Sequence, residues 1–152
     1  MKIRTLLTLI ITGLTASTLL AAAPSTDREN YVKNAQVEGG VGYARAVRVG
    51  RTIYISGHTS KADGMEQQVQ KIYESLGQTL AHFGADFSCV VKENIYARDL
   101  DALKAANPVR KKFYGENFPA ATWVQVDRLF MPEMLLEVEL VAVLPEPATG
   151  AK

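Results

Sequence analysis

Two hydrophobic periodicities follow one another along this chain, and their order constrains its architecture more than any other feature. Tyr43 to Val49 and Thr52 to Ser56 carry alternating apolar residues on either side of Gly50-Arg51, the pattern of a β-hairpin with a two-residue turn. Gly57 is expected to end the second strand. After Asp63-Gly64, Val69, Ile72, Tyr73, Leu76, Leu80 and Phe83 recur at spacings of three and four, which predicts one amphipathic helix with Gly84 just past its end. Gly77 within it marks a close backbone approach, since glycine costs a helix interior about 1 kcal/mol relative to alanine. Val90 to Tyr96 reads as a strand, with Asp99 as N-cap of the next helical stretch. Pro108 is predicted to interrupt the stretch from Leu100 to Tyr114, the helix restarting with Asn107 as N-cap and Pro108 at its first position. Thr122–Val126 and Leu135–Leu144 are the last two strands, and Pro145 and Pro147 end the domain.

Helices therefore fall only between strands. That order predicts an α+β (α/β) arrangement, two helices on one face of a mixed sheet. Such a sheet leaves its other face needing cover, and the strand faces are not cleanly polar (Val47, Val49, Ile53, Ile55), so self-association through the sheet is expected.

The ends differ in composition. Met1-Lys2-Ile3-Arg4 is basic, Thr5 to Leu20 is largely apolar and uncharged, and Ala21-Ala22-Ala23-Pro24-Ser25 supplies small residues, which is the pattern of a secretory signal peptide (1–23, cleaved between 22 and 25). The apolar stretch is thinned by threonines and falls short of the ~20 apolar residues of a membrane span. An exported protein, periplasmic and without a stable membrane anchor, is expected. Residues 24–40 read as a polar N-terminal arm, 41–145 as the folded domain and 146–152 as a disordered tail. The mature length of about 127–130 residues suits one domain. A net charge of +1 with no basic stripe gives no support for nucleic-acid binding. Cys89 is the single cysteine, so no intrachain disulfide forms, and at the head of Cys89-Val90-Val91 it is expected to serve as a small buried hydrophobe. No zinc spacing, phosphate-binding glycine loop or nucleophile elbow occurs. Ser56-Gly57-His58 lacks the strand-turn-helix setting and the orienting acid of a serine hydrolase.

Several segments resemble, in order and spacing, one family of small proteins. Val49-Gly50-Arg51-Thr52-Ile53-Tyr54-Ile55-Ser56-Gly57 resembles the strand-turn-strand ending in Ser-Gly of the Rid family, the YjgF-type reactive-intermediate deaminases. Gly84-Ala85-Asp86 with Val90-Val91-Lys92, then Tyr96-Ala97-Arg98-Asp99-Leu100, Asn107 and Phe113-Tyr114, resemble its middle. Phe118-Pro119-Ala120, Val124 to Leu129 and Leu136-Glu137-Val138-Glu139 resemble its last strands. The resemblance implies a chorismate-mutase-like fold assembled as a homotrimer, with small-molecule clefts between subunits. It implies hydrolysis of 2-imino acids to 2-oxo acids and ammonia, without metal or cofactor.

Carried over by position, the resemblance assigns Tyr43, Ser56, Gly57 and Asn107 to substrate binding, and gives Glu137 the task of positioning the attacking water. The family's carboxylate-binding arginine falls on Ala121, within Pro119-Ala120-Ala121-Thr122, and Trp123 replaces a usually small residue. Thr122 and Trp123 complete the expected site. The loop Phe130-Met131-Pro132-Glu133 is about one residue longer than the family's common form. A guanidinium grips a carboxylate through paired charge-assisted hydrogen bonds, and losing such bonds costs roughly 1.5–3 kcal/mol each. Arg45, Arg128 or a neighbouring subunit's arginine could take that place. Two readings result: an imine hydrolase with a rearranged anchor, or a non-catalytic trimer that binds a small neutral or aromatic ligand against Trp123.

Each residue also has an ordinary role. Glu137 and Glu139 could be a solvated strand face, Asn107 a helix cap, Tyr43 hairpin packing and Trp123 core. His58 could line the pocket rim or an exposed loop. His82, beside Phe83 late in the helix, has no partner motif.

Overall fold

A computed structural model describes residues 27–146. The expected signal peptide and most of the expected tail lie outside them. The described chain runs β1 (Arg28–Tyr31), α1 (Ala35–Val41), β2 (Ala46–Val49), β3 (Thr52–Thr59), α2 (Gly64–His82), β4 (Val90–Ala97), α3 (Leu100–Tyr114), β5 (Ala120–Gln125) and β6 (Leu136–Val143). The six strands form one sheet in the order β1-β2-β3-β6-β4-β5. Only β4 and β5 pair in parallel, joined by the α3 crossover, so the sheet is mixed as expected.

Alternation along each strand sends one set of side chains under the helices. Ile53 and Ile55, Ile95 and Ala97, and Leu136, Val138, Leu140 and Ala142 are all buried there, against Val69, Ile72, Leu76 and Leu80 of α2 and Leu103 and Ala106 of α3. The predicted stripe of α2 is thus the packed face. A Cβ on Gly77 would stand 3.3 Å from the Phe87 ring, the close approach its position implied. Gly50 takes φ +56° in the two-residue turn between β2 and β3.

Four expectations need correction. The segment 24–40, predicted as an arm, contains β1, which pairs antiparallel with β2, and most of α1, whose N-cap Asn34 accepts a hydrogen bond from the Val37 amide. Its polar composition hides it because β1 is an edge strand and α1 a single short helix, each burying little. Gly57 does not end β3, which continues to Thr59. Pro108 does not break α3, so Asn107 sits inside the helix and caps nothing. Its ring lies on the exposed side, while Leu103, Ala106, Val109, Arg110 and Tyr114 run as one buried face across it. That packing, with Asp99 accepting from the Asp101 and Ala102 amides at the start, holds both halves on one axis despite the missing donor. Cys89 ends a 3-10 turn (Phe87–Cys89) and is half-buried against the core rather than enclosed in it.

Candidate functional site

The site begins with an irregularity in β3. Ile55 pairs with Leu140 and His58 with Val138, so β3 holds one more residue than β6 across this interval, a β-bulge at Ser56-Gly57. A bulge shifts the side-chain alternation by one. Ile55 and His58 therefore both point under the helices, and Thr59 and Glu137 pair on the open face.

At the bulge the Gly57 backbone passes directly under Glu137. A Cβ on residue 57 would stand 1.8 Å from Glu137 Oε1 and 2.6 Å from its Cδ, so only glycine lets this carboxyl lie where it does. Ser56 Oγ donates to the Ala44 carbonyl (2.7 Å) and its amide to the Arg45 carbonyl (3.0 Å), which ties the bulge to the segment carrying Tyr43. Tyr43, Ser56, Gly57 and Glu137 thus line one cleft of about 570 Å³.

The two glutamates of β6 differ. Glu139 Oε1 accepts from Asn94 Nδ2 (2.7 Å) and from the Tyr96 hydroxyl (3.3 Å). Among the described residues the Glu137 carboxyl has no hydrogen-bond partner. Burial, and then the Glu139 charge, push its pKa above the ordinary carboxylate value. A half-buried carboxyl that is unpaired and more basic than usual can hold a water and accept its proton.

Behind the bulge lies a polar network that sequence reasoning missed. His58 is 4% exposed, neither a rim nor a loop residue. Its Nδ1 stands 2.8 Å from the Ser56 carbonyl, which can only accept, so Nδ1 carries the proton. Nε2 then accepts from the Thr79 hydroxyl at 3.1 Å, and Arg45 Nε donates to the same oxygen at 3.1 Å. Burial, with the nearby Arg45 charge, lowers the His58 pKa to about 4. Arg45 also donates to Ser75 Oγ (2.5 Å) and pairs with buried Glu38 (3.4 Å), whose other oxygen accepts from the Lys33 amide (2.7 Å). The sequence signal for it is a histidine one residue past a glycine that a bulge can accommodate.

The remaining predicted residues do not reach this cleft within one chain. Strand β4 separates β5 from β6. Ala121 is the register partner of Glu93 and is exposed. Thr122 is on the open face, its Oγ1 accepting from Lys92 Nζ at 2.7 Å. Trp123 is half-buried on the helix side, its ring 5.3 Å from the Arg110 guanidinium and its buried Nε1 without a partner. Asn107 Oδ1 stands 3.5 Å from Arg110 Nη1. Arg110 itself pairs with fully buried Glu93 (2.8 Å through Nε, 2.5 Å through Nη2), and the Tyr73 and Tyr114 hydroxyls donate to the other Glu93 oxygen at 2.5 and 2.7 Å. Burial and the adjacent Glu93 charge raise both tyrosine pKa values, so both hydroxyls stay donors. Neither Arg45 nor Arg110 has a guanidinium free for a ligand. No group of three or more His, Cys, Asp or Glu among the described residues is arranged to hold a metal ion.

A family model described as Endoribonuclease L-PSP matches residues 34–144. A human protein named 2-iminobutanoate/2-iminopropanoate deaminase is 31% identical over 121 residues, covering 74% of this chain and 88% of that protein. A RutC family protein of Drosophila melanogaster is 33% identical over 109 residues, covering 66% and 78%. Among solved structures, a YjgF-family member from Mycobacterium tuberculosis superposes with a TM-score of 0.73 at 28% identity, covering 77% of this chain and 99% of that one.

Proposed function

The chain belongs to the Endoribonuclease L-PSP family, the YjgF and Rid group its motifs resemble, and from that premise we propose that it hydrolyses imines of the 2-imino acid type at the Glu137 cleft. The carrying observation is the unpartnered, half-buried Glu137 carboxyl seated on the Gly57 backbone. Glu137 holds a water and takes its proton as the oxygen attacks the imine carbon. The resulting carbinolamine receives a proton on nitrogen and expels ammonia as the carbon–oxygen double bond forms. Water adds, ammonia leaves, and a 2-oxo compound remains.

The chain acts as a homotrimer, with the open sheet face covered by neighbouring copies. Supporting this are Tyr54, Val49 and Val124, exposed on that face beside the polar Lys92, Asn94 and Glu139. Such an assembly would bring residues such as Ala121, Thr122 and Trp123 of one copy toward the cleft of another. The N-terminal segment directs export, to the periplasm.

One observation favours a second reading, a trimer that binds a small molecule without turning it over: alanine at 121 removes the anchor that resemblance would place there. Ammonia release from imines generated in situ from amino acids separates the two, using wild type, Glu137→Ala and Ala121→Arg. General-base loss typically costs 10²–10⁴-fold, so Glu137→Ala should fall by at least about 100-fold. A wild-type rate no faster than the uncatalysed one, with activity gained in Ala121→Arg, would favour the binding protein.

A further inference from the structure

Residue 58 stands between the two residues of β3 that meet Glu137. Gly57 passes under the Glu137 carboxyl, and Thr59 is the register partner of Glu137 across the ladder. His58 itself pairs with Val138 and is buried beneath the helices, away from the residues that line the cleft. Its ring therefore meets the support of Glu137 from behind.

A circuit of hydrogen bonds closes around the bulge through this ring. His58 Nδ1 donates to the Ser56 carbonyl at 2.8 Å, spanning Gly57. Nε2 stands 3.1 Å from the Thr79 hydroxyl, and Arg45 Nε donates to the same oxygen at 3.1 Å. The Arg45 carbonyl accepts in turn from the Ser56 amide at 3.0 Å, which returns the circuit to its start. Each member is also fixed from outside it. Thr79 Oγ1 lies 3.1 Å from the Ser75 carbonyl one turn back in α2, Arg45 reaches Ser75 Oγ and buried Glu38, and Ser56 Oγ donates to the Ala44 carbonyl.

A bulge breaks the ladder locally and leaves its extra residue unpaired. Here Ser56 and Gly57 have no register partners on β6, and side chains from α2 and from the segment before β2 take over the task of holding them. A buried polar network that stands apart from a reacting group serves stability alone. This one closes on the peptide group that enters Gly57, the residue on which the Glu137 carboxyl rests. Placement at that point matters, because an error of ~1 Å in a reacting group costs about 10²-fold in rate.

Resting on the deaminase reading of the Glu137 cleft, we propose that His58 is a positioning residue for that reaction. Through Ser56 on one side and Thr79 and Arg45 on the other, it holds the bulge where it seats the Glu137 carboxyl against the attacking water. It touches neither substrate nor water and moves no proton.

Three variants of the purified protein test this. His58→Leu removes both hydrogen bonds of the ring, and His58→Gln restores a donor and an acceptor on one amide. Thr79→Val opens the circuit at a second point with little change in shape, and it keeps the test decisive where His58→Leu fails to fold. In steady-state imine hydrolysis, kcat should fall about 10- to 100-fold in His58→Leu with KM within about three-fold, the pattern of an interaction made in the transition state. Thr79→Val should lose less, and His58→Gln should recover most of the rate. Carbon-13 NMR of the Glu137 carboxyl gives a readout that needs no turnover. Released from its seat, the carboxyl is better hydrated, so its titration should move down toward the ordinary glutamate range in His58→Leu and Thr79→Val and return in His58→Gln. An unchanged Glu137 titration in the folded variants overturns the proposal. So does a rate that follows melting temperature across the variants rather than the state of Glu137, since the network would then serve stability alone. No hydrolysis by wild type, together with the shifted titration, would defeat the deaminase reading and leave the placement of Glu137 by His58 standing.

Discussion

Gly57 and Glu137 act as one unit, since any side chain on residue 57 would occupy the space of the Glu137 carboxyl. Gly57→Ala is expected to displace that carboxyl, abolish cleft binding and cost about 1–3 kcal/mol through overpacking. Adding Glu137→Ala should restore most of the stability, and urea unfolding of the two single variants and the double would measure the coupling. Glu137 has a second consequence. Its raised pKa means that the folded state holds the proton more tightly than the unfolded chain, so its contribution to stability falls as pH rises through the folded value. Glu137→Gln should therefore melt higher than wild type at neutral pH, and the difference should vanish below 4.5. His58 works in the other direction. Its pKa is lowered from 6.5 to about 4, so stability is complete above 6.5 and is lost as pH falls through that window. The loss is up to about 3 kcal/mol. Thermal melts between pH 4 and 7 should show it in wild type and not in His58→Gln.

Two elements depend on groups that their own sequences do not reveal. Helix α3 continues through Pro108 because its buried face docks on the sheet, and the Arg110–Glu93 pair fastens that face beneath Trp123. Removing one member of a buried pair typically costs 3–5 kcal/mol, because the other charge is left stranded. Arg110→Met should lose about that much. Glu93→Gln with Arg110→Met should recover more than half, since a neutral amide oxygen still accepts from Tyr73 and Tyr114; denaturant midpoints decide it. At the other end, α1 is short enough that isolated helix propensity could not hold it. Glu38, buried under Arg45, attaches it to α2 through Ser75 and Thr79.

For the whole molecule, one face of the sheet carries the helices and the other is open, with Tyr54 and Val124 exposed beside Asn94 and Glu139. A lone sheet with such a face is prone to associate. Light scattering of the mature protein should give three times the chain mass. A monomer at micromolar concentration would remove the assembly, and with it any route by which Ala121 could approach a cleft.

The order of strands and helices from β2 onward, the buried stripe of α2, the close approach at Gly77 and the gathering of Tyr43, Ser56, Gly57 and Glu137 were all determined by sequence. Periodicity, turn chemistry and ordered motifs are local signals, and these features are local or carried by motif. Tertiary structure alone decided the rest. The bulge that turns His58 inward appears only when β3 is registered against β6, because a one-residue offset exists between strands and not within one. The continuity of α3 through Pro108, the strand at Arg28–Tyr31 and the commitment of Arg45 and Arg110 to Glu38 and Glu93 likewise depend on partners distant in the chain. Burial of a charge or a helix face is a property of the group packed across from it, and a sequence orders residues without their opposites.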